Sequence, residues 1–282
     1  MKRWNILILG VVGLLAISLV IAGRKSSQIK SMDKESAAFA VVEGNRSPVL
    51  VELFTSEGCS SCPPADELLA RIEKEQPIAG AEVIVLSQHV DYWNRLGWAD
   101  PYSSAAFSER QSGYARAFKR DGVYTPQMVV DGRAEFVGSN QDKAYNAIGR
   151  AAKTQKTLIQ ITRGAQSKAE GNTIPLNIRI ENLPAISAGD TAEVLLAVAE
   201  DDLHSSVSRG ENAGHKLSHT AVVRQLSIVG SLDSQAGNGF TAAPVISIVN
   251  NWKKKNLRAV VFVQERESRH VLGAASFDLT AN

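Results

Sequence analysis

Cys59-Ser60-Ser61-Cys62 holds both cysteines of the 282-residue chain. A disulfide between them closes a loop of about four residues, which chain-entropy arithmetic values at roughly 2 kcal/mol, against about 4.7 kcal/mol for a 100-residue loop. A bridge that constrains so little is better explained by reactivity. The pair also follows an apolar run and precedes Pro63-Pro64, an opening suited to a helix. At a helix N-terminus, free backbone N–H groups and the dipole favour thiolate over thiol. The dipole supplies about 0.3–1 kcal/mol, so local N–H donors must add the rest of a large thiol pKa shift. Cys59 is then the attacking thiolate and Cys62 the resolving thiol. Metal binding and a purely structural bridge stay open as alternatives.

Other residues gather around this pair. The loop His89-Val90-Asp91-Tyr92-Trp93 follows an apolar strand, at the carboxyl end where open α/β sheets collect ligands. His89, Asp91 and Trp93 are candidates for a substrate-facing wall, or for a loop that only covers the sheet. Thr125-Pro126 precedes another strand, where a cis bond would expose the backbone of Thr125 to an extended substrate. The redox reading requires no cofactor. Two thiolates with the His89 imidazole suit copper(I) under the alternative. His215 and His219 have a helical metal spacing, but the segment reads as a strand, on which they stand ~13 Å apart. Glu52 is a conceivable proton acceptor for Cys62, but reads better as a sheet-edge or solvent-facing carboxylate.

The elements that position these residues follow from hydrophobic pattern. Residues 49–54 form a buried strand, and Ala65 to Glu75 a helix with Leu68, Leu69 and Ile72 on one face. Residues 82–87 are a second buried strand and 104–119 a helix. Gln127–Val130 and Ala134–Val137 are joined by Asp131-Gly132, a strong hairpin signal. A helix from about Asn140 to Lys156 completes a β-α-β-α-β-β-α order. After Thr157 the texture is all-β, with runs at 158–163, 173–181, 192–200, 221–229, 258–264 and 270–279, which suggests a β-sandwich. The Lys253–Lys255 run reads as a solvated turn.

Composition sets the outer bounds. Lys and Arg number 31 against 29 acidic residues, a net charge of +2, which argues against a nucleic-acid partner. The uncharged run Ile6 to Ala22 follows Lys2-Arg3 and ends at Arg24-Lys25, with no adjacent small-residue cleavage site. An uncleaved membrane anchor is favoured over a cleaved signal or a buried helix. The expected organisation is anchor or signal over 1–23, linker over 24–47, α/β unit over 48–156 and β-sandwich over 157–282. The vicinal thiols suit an oxidising compartment, so the bulk of the chain is expected outside the cytoplasm, in the periplasm, held at the inner membrane by residues 6–22.

The cysteine motif after a buried strand, with Thr125-Pro126 before a hairpin, resembles the thioredoxin-like fold over about residues 48–155. Leu53 to Asp66, His89 to Trp93 and Gly210-Glu211-Asn212 are together similar to a bacterial exported family of thioredoxin-like proteins, domain-of-unknown-function family 1223. The resemblance implies a thioredoxin-like α/β unit followed by a β-sandwich-like domain, and implies no substrate. Gly58 replaces the tryptophan that usually precedes the first cysteine, and Leu53 stands where ordinary thioredoxins carry a buried acid. The expected function is thiol–disulfide exchange through Cys59 and Cys62, with Pro126 shaping the groove and a protein or small thiol or disulfide as partner. A copper(I) chaperone and a non-catalytic binding module are the rival readings.

Overall fold

The computed structural model describes residues 46–165, 172–232 and 239–280. The run 6–22 and the linker up to residue 45 lie outside them. Among the described residues no helix is long and apolar enough to cross a membrane.

The first half follows the expected order: β1 (Ser47–Thr55), α1 (Pro63–Glu75), β2 (Ala81–His89), α2 (Ala105–Ala117), β3 (Gln127–Val130), β4 (Ala134–Val137) and α3 (Gln141–Ala151). Proline opens α1, where its missing N–H costs nothing, and Ala65, Leu68, Leu69 and Ile72 form the buried face. Ser104 and Asn140 cap α2 and α3 through side-chain oxygens that accept from Ala106 and Lys143. β2 runs parallel to β1, while β3 lies antiparallel on its other side. Asp131 and Gly132, at φ 48° and 63°, turn β3 into β4.

Ten strands follow: β5 (Leu158–Arg163), β6 (Thr173–Glu181), β7 (Ala192–Glu200), β8 (Leu203–Ser206), β9 (Lys216–His219), β10 (Val222–Leu232), β11 (Gly239–Ala242), β12 (Val245–Ser247), β13 (Leu257–Glu265) and β14 (Val271–Asp278). Here the architecture departs from expectation. A thioredoxin-like α/β domain followed by an all-β sandwich-like domain, after an N-terminal hydrophobic helix, is not what the described residues form. Strands from both halves join in one mixed eight-stranded sheet of order β14-β13-β7-β10-β2-β1-β3-β4. The seam is β10 against β2, where Ser87 N–H donates to the Ala221 carbonyl at 2.8 Å.

The reason lies in the edge of β2. Val83, Ile84, Val85 and Leu86 are all buried, and a strand apolar on both faces is a poor sheet edge. β7 and β13 are likewise buried on both faces. Their continuous runs, Val194 to Ala199 and Ala259 to Val263, mark central strands covered on two sides, which a two-layer sandwich does not provide. On one face α1 and α3 pack over β1–β3, and β6 packs with β7 and β13. Phe107 of α2 meets Leu50, Ile84, Leu86 and Phe262 in a further apolar cluster.

Glu52 is neither at an edge nor in solvent. It is 1% exposed and forms a two-point pair with Arg110 of α2 (Nε–Oε1 2.7 Å, Nη2–Oε2 3.0 Å), joined by Gln88 and Tyr114. Burial and the negative charge of Glu52 push the Tyr114 hydroxyl well above the usual phenol range. Glu52 therefore serves packing, and both its oxygens are taken.

Candidate functional site

β1 ends at Thr55, and the chain turns through Ser56–Ser61 before α1. Cys59 N–H donates to the Ser56 carbonyl and Cys62 N–H to the Cys59 carbonyl. The two cysteines are joined as a disulfide with Cα atoms 5.4 Å apart, and both are fully buried, while Ser60 and Ser61 are exposed. Cys62 is the N-cap of α1, its carbonyl accepting from Ala65 and Asp66. The Ser61 hydroxyl lies 3.4 Å from Cys59 Sγ. A Cβ on Gly58 would stand 3.1 Å from Trp93 Cβ, so Trp93 occupies the space that a side chain at 58 would need.

Behind the turn sits a buried network of acids and histidines. Asp66, one turn along α1 from Cys62, shares its helix face, with Cβ atoms about 5–6 Å apart. Its Oδ2 accepts from Thr55 Oγ1 at 3.1 Å, while Oδ1 is buried without a hydrogen-bond partner. Burial pushes the Asp66 carboxyl up to about 7, opposed in part by nearby His219. Glu57, in the cysteine turn, accepts from Trp98 Nε1 at 2.7 Å and pairs with His219 Nε2 at 3.0 Å. Glu57 N–H donates to Asp100 Oδ2, which also binds His89 Nδ1 at 2.7 Å. Burial works against the Asp100 charge, but His89 and the N–H groups of Glu57 and Tyr102 hold its carboxyl below the usual range. The His89 and His219 rings meet edge to face at 4.8 Å, and Tyr102 packs on both. His89 Nε2 and His219 Nδ1 are buried without partners, so each histidine has one nitrogen uncommitted.

A distant segment closes the site. Between β8 and β9, Asn212 Nδ2 donates to the carbonyls of Glu57 and Cys59 at 2.8 and 3.0 Å. The exposed Glu211 carboxylate accepts from Ser60 N–H and Oγ at 3.0 and 2.6 Å, and these bonds lower its pKa.

The candidate residues are thus partly assembled. Trp93 joins the cysteine turn to Thr125, donating from Nε1 to Thr125 Oγ1 at 2.8 Å. The Thr125–Pro126 bond is cis. His89 reaches the turn through Asp100 and Glu57. Asp91 instead binds Ser108 of α2 through its Oδ1 and its backbone N–H. Among the described residues no group of three or more His, Cys, Asp or Glu side chains is placed to hold a metal ion. His215 is exposed just before β9, and His219 is buried at the end of that strand. His219 and Asp66 carry no signal in the sequence of a place beside the cysteines. Gly210-Glu211-Asn212 was the one available signal that this segment belongs with the cysteines.

A model of the family described as Protein of unknown function (DUF1223) matches residues 50–264. The chain belongs to that family. This DUF1223 protein is similar to an X-ray structure of a protein from Agrobacterium tumefaciens, at 29% identity and a TM-score of 0.65, covering 84% of this chain and 96% of that one. It is similar in fold to HBP35 of Porphyromonas gingivalis, at 15% identity and a TM-score of 0.56, over 84% of this chain and 78% of that one. No curated protein matches it.

Proposed function

We propose that this protein carries out thiol–disulfide exchange through Cys59 and Cys62, outside the cytoplasm, with residues 6–22 holding it at the inner membrane. The observation that carries the reading is Asp66: a buried carboxyl one turn from Cys62, with one uncommitted oxygen and a pKa near 7. A bridge that only staples four residues has no use for such a group. Exchange does, because one thiol must lose a proton each time the bridge forms and gain one each time it opens.

In the dithiol form, the Cys59 thiolate attacks one sulfur of a partner disulfide, and the partner's other sulfur leaves as thiolate and takes a proton. Cys62 gives its proton to Asp66, and the resulting thiolate attacks Cys59 Sγ of the mixed disulfide. The Cys59–Cys62 bond forms, the partner's second sulfur leaves as thiolate, and a second proton completes its dithiol. The partner gains two electrons and the cysteine pair loses two; the reverse sequence oxidises a dithiol partner. The Ser61 hydroxyl, 3.4 Å from Cys59 Sγ, supports the thiolate as a donor. Since both cysteines are buried, partners gain access when the Glu211–Asn212 segment lifts from Ser60 and Cys59.

Trapping tests this. Full-length Cys62→Ser exposed to oxidised glutathione accumulates a mixed disulfide at Cys59 that Cys59→Ser does not match at Cys62. Equal trapping at both positions, or none at either, overturns the reading.

A further inference from the structure

Tyr102 also walls a cavity of about 380 Å³, together with Ser104, Phe107, Arg224, Leu226 and Trp252. Arg224 is held there in an unusual way. β10 has a register shift against β7 between Val223 and Gln225, so Arg224 is the extra residue of a β-bulge, with no partner on β7. Bulges re-aim side chains and occur beside binding sites. The guanidinium lies over the rings of both Tyr102 and Trp252, 5.3 and 5.7 Å from their centroids. Two aromatic contacts restrain the cation, whose side chain is only 14% exposed.

The charge is only partly answered within the chain. Arg224 Nε stands 3.5 Å from Glu200 Oε2, an ion pair too long and poorly aligned to satisfy that oxygen, which has no hydrogen-bond partner. Glu200 Oε1 accepts from Lys253 N–H. The two terminal amino groups of Arg224 bind no acceptor among the described residues. An arginine fixed in this way presents two parallel N–H donors, the geometry that a carboxylate fits. Phe107, Leu226 and the aromatic rings supply an apolar lining beside it, and the volume suits a small ligand.

We propose that this cavity is a binding site for a small amphipathic carboxylate, with the carboxylate on the terminal amino groups of Arg224 and an aryl-sized apolar body against Trp252, Phe107 and Leu226. The ligand is either a free carboxylic acid or the C-terminal residue of a peptide. The site stands independently of the reading of the cysteine pair.

Calorimetry on the full-length protein tests it with phenylacetate and its neutral isostere phenylacetamide. Phenylacetate binds, and phenylacetamide binds about tenfold more weakly or worse, as expected when a charge-assisted pair is lost. Arg224→Lys, which keeps the charge but not the fork, weakens phenylacetate while leaving phenylacetamide unchanged. N-acetylphenylalanine against a five-residue peptide ending in phenylalanine separates the sources: tighter binding of the peptide assigns the site to a chain terminus, and equal binding assigns it to a free acid. Equal affinity for phenylacetate and phenylacetamide overturns the proposal, even if Arg224→Lys fails to fold. So does the absence of phenylacetate binding up to about 10 mM, a concentration at which even a weak single-carboxylate site registers.

Discussion

Replacing Asp66 by asparagine keeps the size of the side chain and an oxygen for Thr55, and removes only the ionisation. Burial raises the native carboxyl from 3.8 to about 7. A raised native pKa stabilises the fold below the unfolded value and loses that contribution as pH climbs to the native value, because the native state holds a proton that the unfolded state releases. The shift is about 3 units, and at 1.36 kcal/mol per unit the wild type gives up about 4 kcal/mol between pH 4 and pH 8 that the asparagine variant keeps. Urea denaturation of both proteins with the disulfide intact, followed by tryptophan fluorescence at unit steps across this window, reads the difference. Asp66→Asn is expected to gain on the wild type by about 1.4 kcal/mol per pH unit from 4 to 7 and then level off. A difference that stays constant within about 1 kcal/mol over the whole range would refute the buried-acid reasoning, since one pKa unit is the smallest shift that could matter here.

Four further outcomes follow from the packing. Glu52→Gln takes from buried Arg110 the carboxylate it is paired with and should cost about 3–5 kcal/mol in the same denaturation assay. Gly132→Ala places a Cβ 1.7 Å from the Arg269 carbonyl at φ 63° and should abolish soluble expression or sharply lower Tm. Gly80→Ala, at φ 77° with nothing within 4 Å of its Cβ, serves as the contrast. It should cost only about 1 kcal/mol, the penalty for a left-handed alanine in open space. Glu211→Ala frees Ser60 and loosens the segment over the bridge, so stopped-flow reduction of Cys59–Cys62 by dithiothreitol should accelerate severalfold. An unchanged rate would mean that this segment does not control access.

The parts of the fold that reveal themselves in sequence are local ones. Pro63 with Leu68, Leu69 and Ile72 marks α1, and Asp131-Gly132 marks the β3–β4 hairpin, because caps, turns and periodicity act over a few residues. The joining of the halves is not local. Ser87 meets Ala221, 134 positions further along the chain, and neither side carries a motif for the other. The runs in β7 and β13 did hold a warning, since an unbroken apolar stretch calls for cover on both faces. β8 is short and polar, Leu203-His204-Ser205-Ser206, and looks like loop until it pairs with β9. That pairing delivers His219 to Glu57, 162 residues away, and so brings the second histidine to the site. Asp66 in sequence is a carboxylate suited to the first turn of a helix. Its altered chemistry comes from burial, which no helix shows by itself.

The reduction potential of Cys59–Cys62 in the full-length protein bears most directly on the proposed chemistry. Equilibration against glutathione buffers, with the thiols alkylated and counted by mass spectrometry, gives the value. A reversible potential between about −120 and −270 mV is expected, the range of working disulfide exchangers, with its position indicating oxidant or reductant. A potential below about −300 mV, where structural disulfides lie, would contradict exchange and leave the pair as a crosslink.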